Sequence, residues 1–293
     1  PLNTMAERLC FIGPGRAGLS LGYALHQEGA VDSLIYFGRR PDPPAHPLFI
    51  QGLAEYVFGL QRPPTGSTAV VLAVPDETLP EISMALAAHG EAPPGCAAFH
   101  LSGALGTDPL GPLLAKGYSV GTLHPLQSLA DPVLGAEQIK GIHFAVSGEP
   151  AAISAARRIL SPIGGTVVTV PVSKRPLYHA AAVFASNYLA GLIAAAGRLM
   201  AQAGVPEEEA LGAILPLARG SLENLDRLGP VRALTGPVSR GDVETVKLHL
   251  RTLEPRERAL YASLGDEVLK LAGESGLSED VRDELERLFE REK

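Results

Sequence analysis

Apolar and polar positions follow two different patterns along this chain. In the first half, short runs rich in apolar residues recur at residues 8–12, 34–37, 69–73, 97–101, 119–123, 142–146 and 166–170. Runs of this length, bounded by Gly and Pro, predict buried strands. Between several of them the apolar spacing turns helical, most clearly at 17–28, 79–89 and 151–160. Strands alternating with helices predict βαβ units and a parallel sheet. Pro43-Pro44, Pro63-Pro64 and Pro93-Pro94 punctuate the connections, because proline fixes φ and removes a ladder donor.

The texture changes near Pro171. From Arg175 onward the apolar residues keep helical spacing almost to the end, predicting helices at 175–204, 206–225, 242–253, 255–273 and 278–292. Gly204 is a suitable stop for the first of these. Glu279 and Asp280 place acids in the first turn of the last, as the helix dipole favours. The predicted fold class is therefore α/β: an N-terminal doubly wound Rossmann sheet over residues 1–172, joined to an all-α domain over 173–293. The segment 180–196 is Ala-rich but interrupted by Ser186, Asn187 and Gly191. It reads as a buried helix, and no membrane span is expected.

Gly13-Pro14-Gly15-Arg16-Ala17-Gly18 fits G-x-G-x-x-G between the first strand and the first helix. Gly13 permits the tight turn, Gly15 lets the backbone approach a pyrophosphate, and Gly18 allows close helix–strand packing. The free N–H groups and positive dipole end of the helix then attract phosphates. Enzymes using NAD usually place a carboxylate about 20 residues on, at the end of the second strand. Here that place holds Gly38-Arg39-Arg40. Two guanidiniums suit a 2′-phosphate, so NADP is the expected cofactor. Val74 and Pro75 end the next central strand and should border the same ligand, while Asp76 reads as a helix cap.

His100 and Ser102 share one face at the end of the fourth strand in this reading. His124, held extended by Pro125, ends the next one. Hydride transfer at a carbon bearing oxygen or nitrogen needs a group that moves a proton on the heteroatom, and histidine is the usual choice. His124 and Ser102 are thus candidate catalytic residues, Ser102 as a hydrogen-bonding partner of the substrate. On an ideal helix His179 and Ser186 lie on nearly one face, with Asn187 rotated by about 80°. His179 and Asn187 are candidates for orienting a small-molecule substrate. A loop at Thr235-Gly236-Pro237 and Arg240-Gly241-Asp242 precedes a helix on which Asp242, Thr245 and His249 share a face; capping explains it. No metal-ligand spacing occurs.

Composition narrows the classes further. The formal net charge of −7, without a basic stripe, argues against nucleic acid. Cys10 and Cys96 lie in apolar runs and suggest buried thiols. With no signal-peptide pattern at the start of the sequence, the cytoplasm is the expected compartment.

The segments Gly13 to Gly18, Val74-Pro75-Asp76, Leu101-Ser102-Gly103, His124-Pro125-Leu126-Gln127, Tyr178-His179-Ala180-Ala181, Ser186-Asn187-Tyr188, Leu234-Thr235-Gly236-Pro237 and Arg240-Gly241-Asp242 together resemble a family of Rossmann-like proteins with a C-terminal domain of unknown function. That family is related to the prephenate dehydrogenase, pyrroline-5-carboxylate reductase and hydroxyisobutyrate dehydrogenase superfamily. The resemblance implies a C-terminal domain like that of 6-phosphogluconate dehydrogenase, a site between domains, and a homodimer through the helical domain. His124-Pro125 is similar to the His-Pro segment of prephenate dehydrogenases, whose His assists oxidation of a ring hydroxyl. The Lys–Asn spacing of hydroxyisobutyrate-type enzymes is not found after Lys174 and Arg175. The resulting expectation is an NADP-dependent oxidoreductase acting on a small carbonyl, imine or hydroxy compound; the alternative is a non-catalytic NADP(H)-binding sensor or interaction protein on the same fold.

Overall fold

The computed structural model describes residues 7–293. The first half alternates strand and helix: β1 (Glu7–Ile12), α1 (Arg16–Gln27), β2 (Val31–Gly38), α2 (Pro47–Ile50), β3 (Glu55–Phe58), β4 (Ala69–Leu72), α3 (Leu79–Ala88), β5 (Ala97–His100), α4 (Gly111–Leu114), β6 (Ser119–Pro125), α5 (Pro132–Gln138), β7 (His143–Gly148), α6 (Pro150–Leu160) and β8 (Thr166–Thr169). Helices then follow: α7 (Arg175–Val183), α8 (Leu189–Gln202), α9 (Glu207–Ala233), α10 (Pro237–Arg240), α11 (Val243–Thr252), α12 (Pro255–Glu274) and α13 (Glu279–Glu290).

The strands form one sheet in the order β3-β2-β1-β4-β5-β6-β7-β8. The chain winds outward from β1 in both directions, which is the doubly wound arrangement. Two features depart from the sequence reading. The edge strand β3 was not expected, because its four residues are only half-buried and carry no clear apolar run. And β7 runs antiparallel to β6, so the sheet is mixed. The link after β6 turns back at the same edge, where Leu126 N–H donates to the His143 carbonyl at 3.0 Å. A connection that does not cross the sheet must return antiparallel.

Alternate residues of the strands feed two cores. Phe11, Tyr36, Val71, Phe99 and Phe144 pack on one face with Leu25 and Ile159. Cys10, Ile12, Phe37, Val70 and Leu72 pack on the other with Leu86 and Leu113. This is the period of two that a pleated strand imposes. Cys10 and Cys96 are free, buried thiols, and burial pushes them up to about 11 and about 12 respectively.

Two compact units emerge among the described residues, one ending at residue 186 and the other spanning 187–293. Strands stop at Thr169 and helices begin at Arg175, where the sequence texture changes. The first unit nonetheless continues through α7 to Ser186. In the second unit Val246, Leu250, Ala262, Leu269, Leu285 and Phe289 make the core. Gly265 lies under the Phe289 ring, 2.6 Å from where a Cβ would stand. Asp242 caps α11 by accepting from Thr245 N–H at 3.1 Å, and its other oxygen accepts from the Thr245 hydroxyl. His249 pairs with Tyr261. This polar face is therefore capping and packing.

The long helix expected at 175–204 is three segments. Between α7 and α8 the residues Phe184–Tyr188 form a π-helical turn. A π-turn holds more residues per turn than an α-helix, so the ideal-helix relation among His179, Ser186 and Asn187 does not apply. Ser186 donates to the Ala182 carbonyl at 2.8 Å, and Asn187 begins the second unit. The expectation of a buried helix also fails. By length and composition Val172–Gln202 is long and apolar enough to cross a membrane, and only 6% of its most apolar window is buried. Apolar helical spacing says that a helix needs cover, and most of this window is exposed among the described residues.

Candidate functional site

The glycine turn builds its cradle against the end of β4. Gly13 has φ +89°, and a Cβ there would stand 2.8 Å from the Ala73 carbonyl oxygen. At Gly15 it would stand 3.0 Å from the same oxygen, and at Gly18 2.7 Å from the Ala73 Cβ. Gly13 needs glycine for its conformation and its close approach, Gly18 for close approach, and Gly15 is tight against the same carbonyl. Gly13 N–H donates to the Phe37 carbonyl at 2.9 Å, fastening the turn to β2. Tyr36, buried beneath, donates to the Gly18 carbonyl at 3.0 Å. Helix α1 starts without a side-chain cap and without an acid in its first turn. Its first N–H groups are thus left for an anion.

A groove of about 1080 Å³ opens at this turn. Gly13, Pro14, Gly15, Arg39, Arg40, Val74 and Pro75 line it. Arg16, Ala17 and Gly18 are the first residues of α1 beyond it, and Arg16 donates to the Ala130 carbonyl at 3.4 Å. Arg39 and Arg40 follow β2 on the surface, and among the described residues neither forms an ion pair. Tyr56 donates to the Arg40 carbonyl at 2.7 Å and packs so closely over Gly38 that no Cβ fits there. The two guanidiniums are therefore held beside the groove by backbone while their charges stay uncommitted. Glycine cradle, bare helix N-terminus and free guanidiniums fit the phosphates of a dinucleotide.

A second polar cluster lies in the same unit. His100 is fully buried. Its Nδ1 accepts Ser102 N–H at 3.2 Å, so Nε2 carries the proton and donates to the Gly106 carbonyl at 2.7 Å. Burial, first of all, holds it below the ordinary histidine range. It is a satisfied structural group. Ser102 donates to Asp76 Oδ2 at 2.6 Å and accepts from Leu105 N–H at 3.1 Å. Its one proton is thereby committed, which leaves the hydroxyl one acceptor site for a further hydrogen bond. Asp76, expected to cap a helix, instead anchors that serine; no side-chain cap is made at the start of α3.

His124 and His179 do come together. Their rings meet edge to face with centroids 5.7 Å apart. Gly103 lies between them: a Cβ there would clash with His179 Nδ1 and stand 2.9 Å from His124 Nε2. Both nitrogens thus converge on one point beside a residue that has no side chain. Among the described residues His179 Nδ1 is buried without a hydrogen-bond partner. On its other side His124 Nδ1 is 2.8 Å from the Tyr178 hydroxyl. Burial, then His179 and Arg175, lowers His124 to about 4, so it is neutral at pH 7.

Sequence reading passed over two members of this cluster. Arg175, the first residue of α7, is fully buried. It donates to the Ser102 carbonyl at 2.7 Å and to Ser147 Oγ at 3.1 Å, and its Nε has no partner among the described residues. Its guanidinium carbon lies 5.7 Å from the centre of the Tyr178 ring. Tyr178 was passed over as a neighbour of His179. An arginine before Pro176 reads as an exposed helix start; only its fourfold spacing to His179 hinted at a shared face.

The strand order and glycine cradle define a Rossmann-like protein. Residues 55–125 match the model of the Rossmann-like domain, and residues 142–268 match that of a domain of unknown function, DUF2520. The chain therefore combines a Rossmann-like domain with a DUF2520 domain. Among solved structures it is similar to a Thermotoga maritima protein, TM1727 (24% identity, TM-score 0.69, covering 91% of this chain and 99% of that one). It is also similar to a Bacteroides fragilis protein named as a proposed NADP oxidoreductase (22%, 0.70, 90% and 98%). A Plasmodium falciparum pyrroline carboxylate reductase with NADP bound shares 13% identity (0.60, 98% and 97%). These likenesses establish a shared fold. No curated protein matches the chain.

Proposed function

We propose that this protein is an NADP(H)-dependent oxidoreductase that moves hydride to or from a small carbonyl, imine or hydroxy compound. The observation that carries the reading is the glycine cradle at the start of α1 beside two uncommitted arginines, Arg39 and Arg40. Gly13, Gly15 and the first turn of α1 would hold the pyrophosphate. Arg39 and Arg40 would hold the 2′-phosphate, in the place where a carboxylate would select NAD. When bound, such a cofactor supplies or accepts the hydride. The chain's own part is to hold the substrate heteroatom and move its proton. His124 and His179 converge at Gly103 as that pair, and the convergence favours catalysis over a sensor, which needs only the nucleotide cradle.

Titration of the protein with NADPH and NADH, followed by cofactor fluorescence, tests this directly. Arg39→Ala/Arg40→Ala should weaken NADPH by tenfold or more, about 1.4 kcal/mol or above, and leave NADH nearly unchanged. Failure of the wild type to bind either nucleotide would remove the reading.

Within the same proposal the chain works as a homodimer. Leu211, Leu215, Leu222 and Leu225 are exposed along α9 at the spacing of a coiled-coil seam. Glu207, Glu208 and Glu209 open that helix, and Arg227 lies near the break at Gly229 (φ +75°) that ends its first, longer part. A second copy packed antiparallel covers the leucines and pairs those acids with Arg227. Sedimentation in detergent-free buffer should show a dimer that Leu222→Arg converts to monomer; a wild-type monomer would exclude it.

A further inference from the structure

We propose that Tyr178 is the proton source for His124, the two acting as a relay that delivers a proton to a substrate oxygen held beside Gly103. The inference rests on the oxidoreductase reading above and gives that reading a residue it did not contain.

The need for a relay follows from what surrounds His124. His179 and Tyr178 face it from α7, Arg175 from the start of the same helix, Asp76 from the turn after β4, and His100 from the end of β5. Arg175 outweighs Asp76 in this set, so a second positive charge on His124 is disfavoured and the imidazole stays neutral. A neutral imidazole that gives up its Nε2 proton must gain one at Nδ1 in the same event, or become a costly anion. The Tyr178 hydroxyl, 2.8 Å from Nδ1, can supply it. Nε2 is the nitrogen turned to Gly103, where His179 Nδ1 also points. The ring thus presents one nitrogen to the tyrosine and the other to Gly103 and His179.

The phenolate left behind has a counter-charge waiting. Arg175 lies 5.7 Å from the centre of the Tyr178 ring and forms no ion pair among the described residues. Among the described residues its polar partners are the Ser102 carbonyl and the Ser147 hydroxyl, and neither neutralises its charge. Burial raises the Tyr178 hydroxyl above its ordinary value, and the Arg175 charge partly offsets that by favouring the ionised form.

In the reductive direction, hydride reaches the carbonyl carbon and the C–O π pair moves onto oxygen. That oxygen takes the proton from His124 Nε2. The electron pair of the broken N–H bond stays in the ring, and Nδ1 takes the proton of Tyr178. The phenolate faces Arg175 until solvent returns a proton. Oxidation of an alcohol runs the same transfers backwards.

Nitrogen-15 NMR of histidine-labelled full-length protein tests the relay without a substrate. Between pH 6 and 8, His124 should be neutral with Nε2 protonated and Nδ1 accepting, and Tyr178→Phe should abolish that tautomer preference. A wild-type His124 protonated on Nδ1 would overturn the relay, because that nitrogen could not then receive a proton. With a turned-over carbonyl, Tyr178→Phe should lower kcat by about a hundredfold with KM and NADPH affinity unchanged and a shifted kcat–pH profile. An unchanged kcat overturns the relay while the oxidoreductase reading stands. Absence of NADPH binding by the wild type removes that reading, and the relay with it.

Discussion

The buried guanidinium of Arg175 donates to the main-chain carbonyl of Ser102 at 2.7 Å, tying the start of α7 to the chain that leaves β5. The same side chain reaches Ser147 on β7. Tyr178 and His179, one helical turn on, owe their places over His124 to this tie. Arg175→Met should destabilise the protein by about 1–3 kcal/mol, chiefly by leaving the Ser102 carbonyl without its donor. It should also let His124 rise from about 4 toward its ordinary value, because Arg175 is one of the charges holding it down. Urea unfolding and a histidine NMR titration measure the two effects; an unmoved His124 would mean the guanidinium does not act on it.

Stability should fall with acid in a defined window. His124 titrates near 6.5 when unfolded and near 4 when folded, so the unfolded chain binds its proton first. Above pH 6.5 neither state carries it and nothing is lost. From 6.5 down to 4 the native state loses ground, by up to a few kcal/mol at the lower end. His124→Gln should flatten that part of the stability–pH curve. A variant with the wild-type slope between pH 6.5 and 4 would assign the loss to other groups.

Gly103→Ala should disturb both histidines at once. The added methyl meets His179 Nδ1 and His124 Nε2, and overpacking of this kind costs about 1–3 kcal/mol. The two imidazole resonances should shift together while NADPH binding is kept. Unshifted resonances would mean that the rings do not share that point.

Gly13→Ala should damage the nucleotide cradle itself. A left-handed backbone costs an alanine roughly 1–2 kcal/mol, and the Ala73 carbonyl leaves no room for its methyl. Thermal unfolding should move down and nucleotide affinity should drop together. Retained affinity in a folded variant would count against the cradle.

Much of the framework was legible because strand and helix periodicities are local properties. Seven of the strand positions, the glycine motif and the arginines after β2 follow from runs of residues close in sequence. The edge strand β3 escaped because an edge has only one neighbour and little of it is buried. The π-turn at Phe184–Tyr188 escaped because one extra residue per turn leaves apolar spacing almost unaltered.

What the sequence determined by itself was the class of fold, the cradle at Gly13, Gly15 and Gly18, and the candidacy of His124 and His179. Each depends on neighbours within a turn or a strand. Tertiary structure decided which polar groups were already committed: His100 to Gly106, Ser102 to Asp76, and His124 to Tyr178. It also buried Arg175, placed Gly103 between two imidazoles, and left the helix after Arg175 largely uncovered. The reason is physical. A hydrogen bond, a depressed pKa or an uncovered apolar face depends on which distant segments pack together, and that information appears only when the sheet brings the ends of β4, β5 and β6 side by side.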